Sequence, residues 1–185
     1  MNTRFDWQDL QLNVPNPQVP AQFYVANVGA AQSTGVELEV HARPAASLDV
    51  FGIVGHTRAT FGEGSVSSGA NVAENELPTT PDYTATVGVQ YSRAINTRAA
   101  LYARAEAVMF GSFFYDDFNS AGQDAYSLAN LRTGVRSQFV FVEAWVKNAA
   151  DTRYVPLALQ YGSPSGFIGE MGHPRTFGIT AGITF

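Results

Sequence analysis

The segment Phe177-Gly178-Ile179-Thr180-Ala181-Gly182-Ile183-Thr184-Phe185 alternates apolar with small or polar side chains at every step and ends on an aromatic residue. Alternation with a period of two is the pattern of a β-strand that has one apolar face. Chain ends fray unless something holds them, so this strand is predicted to be paired on both of its edges within a sheet. A closed barrel is the architecture that most needs such a strand, because closure leaves no free edge.

The composition permits a single domain and excludes several classes of function. The chain has 185 residues, of which 45% are hydrophobic, yet its mean hydropathy is only -0.06, so apolar and polar residues are interleaved. No run approaches the roughly 18 apolar residues of a transmembrane helix, whereas a membrane-spanning strand needs only about 9 to 11 alternating residues. The net charge of -5 and the lack of a basic stripe exclude nucleic acid as a partner.

Catalytic patterns are missing from the sequence. There is no cysteine, and the three histidines are scattered. No Ser-His-Asp order, phosphate-binding loop or His-x-x-x-His pair rises above chance. We therefore predict that the protein is not an enzyme, and we predict no catalytic residues, no cofactor and no metal site.

Segments with a period of two, bounded by Gly, Pro, Asn and Ser, follow one another along the whole chain, and helical periodicity is absent. The predicted fold is all-β, with about eight antiparallel up-and-down strands at 4–12, 22–43, 47–61, 81–92, 98–110, 125–136, 139–147 and 174–185. Long connections at 13–21, 62–80, 111–124 and 148–173 alternate with short ones at 44–46, 93–97 and 137–138. All long loops therefore emerge at one end of the array, which is typical of outer-membrane barrels.

Charged side chains keep to one face of these strands. In 35–43, Glu37, Glu39 and Arg43 share a face, and the opposite face is apolar. The same separation recurs in 98–110, 125–136 and 139–147. A soluble sandwich would select the same alternation, but the long strands and the one-sided loops favour a transmembrane barrel. The strand 47–61 fits a barrel only if His56 and Arg58 lie beyond the hydrocarbon, at the rim with the long loops.

Five blocks of sequence resemble, in order, strand motifs from the β-barrel of TonB-dependent outer-membrane receptors. They are DWQDLQ at 6–11, NVGAAQSTGVELE at 27–39, YSLANLR at 126–132, VKNAADTRY at 146–154 and GHPRTF at 172–177. The complete barrels of such transporters have about 22 strands around a plug. The resemblance therefore implies that residues 1–185 are a C-terminal segment of the barrel, a partial barrel with no plug domain and no signal peptide.

The resemblance also implies a location, a function and partners. The location is the outer membrane of a Gram-negative bacterium, and the function is TonB-dependent uptake of a nutrient such as a ferric siderophore. The implied partners are the lipid bilayer, the barrel assembly machinery and the small nutrient ligand, with the TonB complex acting only through the missing N-terminal part. The residues that resemble the lipid-facing C-terminal assembly signal are Phe177, Ile179, Ala181, Ile183 and Phe185.

Two alternatives remain at this point. One is a self-closed eight-strand outer-membrane barrel with a structural or adhesive role, whose interior would be filled by side chains. The other is a soluble all-β binding module, whose apolar faces would form a dry core. Pairing between the first and last strands would indicate a closed barrel, whereas two separate edges would indicate an open arc.

Aromatic and acidic residues in two long loops are the candidates for ligand binding. They are Phe113, Phe114, Tyr115, Asp116, Asp117, Tyr154, Tyr161 and Phe167. Aromatic anchors with a few polar groups are typical of a concave binding site, whereas the competing interpretation is an aromatic girdle or packing between loops. Asp116 and Asp117 lack the further spaced oxygen ligands that a hard cation needs.

Overall fold

The computed structural model describes residues 1–16, 18–19, 22–161 and 166–183, and over these residues every regular element is a β-strand. In chain order the strands are β1 (Asn2–Pro15), β2 (Phe23–Ala45), β3 (Leu48–Phe61), β4 (Val66–Ser67), β5 (Ala70–Asn71), β6 (Tyr83–Asn96), β7 (Ala99–Phe110), β8 (Phe113–Phe114), β9 (Gly122–Gln123), β10 (Tyr126–Ser137), β11 (Val140–Lys147), β12 (Leu157–Gln160), β13 (Phe167–Glu170) and β14 (Thr176–Ile183). Within the described ranges no helix is long and apolar enough to cross a membrane.

Eight of these strands form one antiparallel sheet in the order β1-β2-β3-β6-β7-β10-β11-β14. The eight predicted strands are confirmed to within a few residues at their ends, and the second is a single strand of 23 residues. The short pairs β4-β5, β8-β9 and β12-β13 lie in the long connections and were not predicted. The sheet is therefore an up-and-down meander with all its long loops at one end.

The described part of the sheet is an open arc. β1 pairs only with β2, and β14 pairs only with β11. The self-closed eight-strand barrel is therefore wrong, because so few strands close only when the sheet curls until its edges meet. The prediction that 177–185 is held on both edges is also wrong for the described residues of β14, and Phe185 lies outside the described residues.

The apolar side chains of neighbouring strands form continuous rows on one face of the sheet. One row crosses seven strands through Ala42, Val50, Val89, Ala105, Leu131, Val146 and Phe177. The adjacent row consists of Leu48, Tyr91, Ala103, Thr133, Ala144 and Ile179. The residues of these rows are exposed or half-buried, and Phe177 is the most exposed, at 81%. An apolar face of this extent is stable against lipid rather than water.

A dry core of the kind that a soluble module needs is not found along this sheet. In the described chain no second sheet packs on either face, because the other three sheets are two-stranded hairpins in the loops. The fully buried cluster of Val14, Val28, Phe61 and Val72 lies where β1, β2 and β3 meet the long loops. The soluble alternative is therefore wrong as well.

The opposite face of the sheet carries the charges. Arg104 Nη2 donates to Glu106 Oε2 at 2.6 Å, and the Arg104 guanidinium lies 4.3 Å from the centre of the Phe51 ring. The Tyr102 hydroxyl donates to Glu143 Oε2 at 2.6 Å. These pairs lie behind the lipid-facing rows, as expected for the interior of a barrel.

The two basic residues that did not fit the apolar face lie at its upper limit. His56 pairs with Val36 and Tyr83, and Arg58 pairs with Thr34, in the half of β3 next to the long loops. This is where the sequence predicted them.

Gly134→Ala is expected to lower the free energy of unfolding by about 1–3 kcal/mol, because overpacking forces neighbouring atoms apart. A Cβ at this position would meet the carbonyl oxygen of Val142 and lie 3.0 Å from Glu143 Cα, and both are backbone atoms held by the sheet. Gly52→Ala is the matched control, since its nearest neighbour is Val87 Cγ1 at 3.7 Å. The folded protein migrates on a gel as a band whose position changes after heating, and the urea concentration that halves this band is compared between the two variants. Equal concentrations would contradict the close packing at Gly134.

Candidate functional site in the long loops

Hydrogen bonds join the long loops into one body at the open end of the sheet. We number the long loops in chain order, the first being the connection between β1 and β2. Residues 62–82 form the second loop, 111–125 the third loop, and 148–161 with 166–175 the fourth loop. The Asn119 side chain pairs with the backbone of Glu76 in both directions, donating to Glu76 O at 3.0 Å and accepting from Glu76 N at 2.8 Å. The third loop is therefore held to the second by a pair of hydrogen bonds like those between adjacent β-strands.

Tyr115 connects the third loop to the fourth. Its hydroxyl donates to Val155 O at 2.8 Å, and Val155 N donates to Gln123 Oε1 at 2.7 Å. The ring of Tyr115 lies 6.5 Å from that of Phe167. Burial among these residues raises the pKa of the Tyr115 phenol. The third loop thus has bonded neighbours on both sides.

Packing fixes the loops to the strands below them. Phe118, from the third loop, packs against the buried cluster of β1, β2 and β3. In β2, Gly29 has a φ of +123°, a backbone conformation that glycine adopts readily and other residues rarely. A Cβ at this position would lie 2.8 Å from Ser65 Oγ. Ser65 Oγ donates to Ala30 O at 2.9 Å, which secures the second loop against β2. The loops therefore continue the fold of the sheet.

Asn148 organises the start of the fourth loop. The residue is only 4% exposed. It accepts from Thr152 N at 2.9 Å and donates to the carbonyl oxygens of Thr152 and His173, at 2.9 and 3.1 Å. Its backbone N–H donates to Asn130 Oδ1 at 3.1 Å. Asn148 thus joins the two ends of the fourth loop through its side chain and attaches the loop to β10 through its backbone N–H.

In the structure, much of the predicted ligand-binding set makes contacts within the third loop or between the third and fourth loops. Phe113 is 6% exposed, and its ring meets that of Tyr115 edge-on at 5.6 Å. Asp116 accepts from the backbone N–H groups of Ser120 and Ala121 and from the Ser120 hydroxyl, so its carboxylate caps its own turn.

The other predicted residues lie apart from this group or are only partly covered. Tyr154 stacks on Tyr126 with ring centres 4.5 Å apart. Phe114 is half-buried, and its carbonyl oxygen accepts from Thr79 N at 2.7 Å. Tyr161 is 53% exposed at the end of β12. The ligand-binding role of the whole set stays a prediction.

Sequence reasoning missed the amides that hold the loops together. Asn119 and Asn148 both have positive φ, and asparagine is a common turn former that tolerates this conformation, so a local signal was present. Gln123, which accepts from Val155 N, had no such signal, because its partner lies 32 residues away in the sequence. Over the described residues no group of three or more His, Asp or Glu side chains is arranged to hold a metal ion.

Known proteins match this chain in both sequence and fold. The pesticin receptor of Yersinia pestis is 29% identical over 165 residues, covering 87% of this chain and 23% of the receptor. The ferric yersiniabactin uptake receptor of the same organism superposes with a TM-score of 0.80 at 25% identity, covering 98% of this chain and 26% of that one. A siderophore receptor of Acinetobacter baumannii, at 17% identity and a TM-score of 0.71, shares the fold over 96% of this chain and 24% of its own.

These matches locate the chain within a larger architecture. The chain spans about a quarter of the length of the relatives it matches. The family model described as "TonB dependent receptor-like, beta-barrel" matches residues 3–149. The eight-stranded arc, with its lipid-facing rows and one-sided loops, is thus part of a transmembrane β-barrel, and the chain belongs to the family of TonB-dependent receptors.

Proposed function

We propose that this chain forms part of the wall and outer loops of a receptor that imports a ferric siderophore across the outer membrane. The observation that carries the proposal is the joined set of long loops at one end of a lipid-facing arc. Such loops present a preformed surface to a ligand that arrives from outside. The similarity to the ferric yersiniabactin uptake receptor supports this choice of ligand class. No catalytic role is proposed for any residue.

Two partners follow from this proposal. The TonB complex would act on the receptor through parts other than the described arc. The two outer strands of this arc, β1 and β14, would pair with further strands of the same barrel. The barrel assembly machinery would recognise β14, whose lipid-facing residues Phe177, Ile179 and Ile183 are 67–81% exposed. The alternation that marks this signal continues to Phe185 in the sequence.

The exposed aromatics of the fourth loop are the best candidates for contact with the ligand. Tyr161 is 53% exposed, whereas Phe113 is buried in the loop and the Asp116 carboxylate is hydrogen-bonded within its own turn. Tyrosine offers a large, rigid contact surface with a hydroxyl at its tip. We therefore propose that the buried candidates shape the site and that Tyr161 touches the ligand.

Iron uptake by cells that carry the intact protein tests the proposal. Under iron limitation, such cells are expected to accumulate radiolabelled iron from ferric yersiniabactin, and uptake should stop when the proton gradient that drives TonB is collapsed. A ferric catecholate is the second probe. Uptake of neither probe by a folded, surface-exposed protein would overturn the proposal.

Tyr161→Ala should reduce binding of the transported probe roughly tenfold, since truncating an aromatic anchor at a binding site costs about 1–2 kcal/mol. Phe139→Ala is the matched control, because Phe139 is 61% exposed but lies in a short turn at the other end of the sheet. Equal losses in both variants would show that Tyr161 does not touch the ligand.

A further inference from the structure

Three adjacent strands place two arginines and a threonine in one row on the lipid-facing side of the sheet. Arg4 of β1 pairs directly with Thr34 of β2, and Thr34 pairs directly with Arg58 of β3. Thr34 precedes Ala42 of the seven-strand apolar row by eight residues, an even spacing that puts both on the same face. We call Arg4, Thr34 and Arg58 the cationic row. Neighbouring strands lie about 4.8 Å apart, so both arginine side chains can reach one ligand.

The cationic row lies at the depth where the hydrocarbon of a bilayer ends. At the short-turn end of β3, Leu48 pairs with Tyr91, and tyrosine is enriched at the membrane interface. Arg58 is ten residues further along β3. At an axial rise near 2.4 Å per residue for a strand tilted by about 45°, this separation is about 24 Å, close to the roughly 25 Å height of the apolar band of an outer-membrane barrel. The row is therefore level with the lipid headgroups on the long-loop side.

Both arginines keep donors for a further acceptor. Arg4 donates to Asp6 through Nε and Nη2, at 3.0 and 3.3 Å, and a guanidinium has five N–H groups. The three ion pairs formed within the described part of the chain do not include Arg58. Arg58 is also exposed. An anion that approaches this row along the lipid-facing side would therefore meet uncompensated positive charge.

The acidic side chains near the row lie further from the hydrocarbon or point away from it. Asp6 pairs with Gln32, and Glu76 pairs with Thr60, in the next row toward the long loops. The carboxylate of Asp82 lies against Gly111 of the third loop. The charges are thus layered, with cations at the border of the hydrocarbon and carboxylates on its watery side.

The surface on the other side of the cationic row suits acyl chains. Toward the short turns, β2 presents Val36, Leu38 and Val40, which are 53–59% exposed. Gly52 lies between Val40 and Val87 in direct register, and its lack of a side chain contributes to a shallow apolar depression. A molecule with an anionic head and apolar tails would meet matching chemistry along its whole length.

We propose that the cationic row binds the phosphate of a lipid headgroup in the outer leaflet. Arg4 and Arg58 donate to the phosphate oxygens, the Thr34 hydroxyl lies between them, and the acyl chains follow β2 and β3. Arginine suits this role because its planar fork of donors matches the geometry of a phosphate. Free inorganic phosphate has no apolar tail and stays hydrated, so it binds more weakly. The inference uses the membrane placement proposed above, and it does not depend on siderophore import.

Titration of the intact protein in a neutral detergent with dioctanoyl phosphatidic acid, with bound lipids counted by native mass spectrometry, tests this inference. Dioctanoylglycerol has the same chains without the phosphate and is expected to bind at least tenfold more weakly. Arg58→Ala should weaken binding of the first phosphatidic acid about tenfold, because charge-assisted hydrogen bonds are lost. Arg132→Ala is the matched control, since it also removes an exposed arginine, but from the charged face of β10, where Arg132 pairs with Arg104.

A second variant, Thr34→Glu, places a carboxylate between the two arginines and should abolish the preference for phosphatidic acid, while the heat-modifiable band shows that the protein is folded. Three results would each overturn the inference: equal binding of the two lipids, equal losses in Arg58→Ala and Arg132→Ala, or a preference that persists in Thr34→Glu. Inorganic phosphate distinguishes the sources of the anion, since displacement of the lipid by an equal concentration of inorganic phosphate would indicate a site for the free anion. Failure of iron uptake would leave these outcomes unchanged.

Discussion

Leu131→Arg is expected to lower the free energy of unfolding in a bilayer by about 2–4 kcal/mol, the cost of a cationic side chain near the middle of a lipid-facing strand. Leu131 lies in the apolar row that crosses seven strands, between Ala105 and Val146. The guanidinium would have to leave the hydrocarbon or disturb the lipid around it. The measurement is the folded fraction in lipid vesicles across a guanidinium chloride titration, with the heat-modifiable band as the readout.

Gln90→Arg is the matched control for this substitution. Gln90 follows Val89 of the same apolar row on β6, so its side chain points to the opposite face, where it pairs with Asp49 on β3. An arginine there gains a nearby carboxylate and meets no lipid. Loss of stability equal to that of Leu131→Arg would show that the two faces of the sheet have been assigned incorrectly.

Asn148→Asp is expected to cost roughly 2–6 kcal/mol, because two buried carbonyl groups would each lose their donor at about 1–3 kcal/mol apiece. The carboxylate would still accept from Thr152 N, but its oxygens would face the carbonyl oxygens of Thr152 and His173. The fourth loop should therefore open at neutral pH while the sheet persists. Hydrogen exchange would detect the opening as lost protection at 148–152 and near His173.

Asn71→Asp provides the comparison for Asn148→Asp. The Asn71 side chain only accepts, from Ala73 N at 2.9 Å, and a carboxylate makes the same bond. The substitution carries the same change of charge and is expected to leave exchange in the second loop almost unchanged. A similar loss of protection in both variants would mean that added charge, and not the missing donors, opens the loops.

The strands were predictable from sequence because the residues of each strand alternate between the two environments that its two faces meet. The alternation in β10 and β11 separates charged from apolar residues whatever lies further along the chain. The loop ends were equally visible, since Gly, Pro and Asn interrupt the alternation. Alternation alone did not predict the open arc, because pairing between β1 and β14 depends on the curvature of the whole sheet. The resemblance to barrels of about 22 strands did predict a partial barrel, and this prediction is confirmed.

The contacts within the loops were beyond sequence reasoning for a different reason. The bond between Asn119 and Glu76 joins residues 43 positions apart, and no local pattern reports on such a partner. The acidic pair of the third loop shows the same limit. Asp116 caps its turn, whereas Asp117, one residue later, is only 6% exposed, and this burial raises the pKa of its carboxyl group. Identical side chains at adjacent positions thus acquire different roles through tertiary packing alone.

Asn119 is joined to Glu76, and Tyr115 to Val155. These bonds reduce the conformational entropy that the loops would lose if a ligand bound at this end of the sheet. The conformational freedom of the second, third and fourth loops is lost when the protein folds, at about 1–2 kcal/mol per fixed residue, and is not lost again when a ligand arrives. Capture should therefore resemble docking to a rigid surface, with little loop rearrangement. For the same reason, shortening one loop should loosen the other two, so that deletions in the three loops would act together and not one by one.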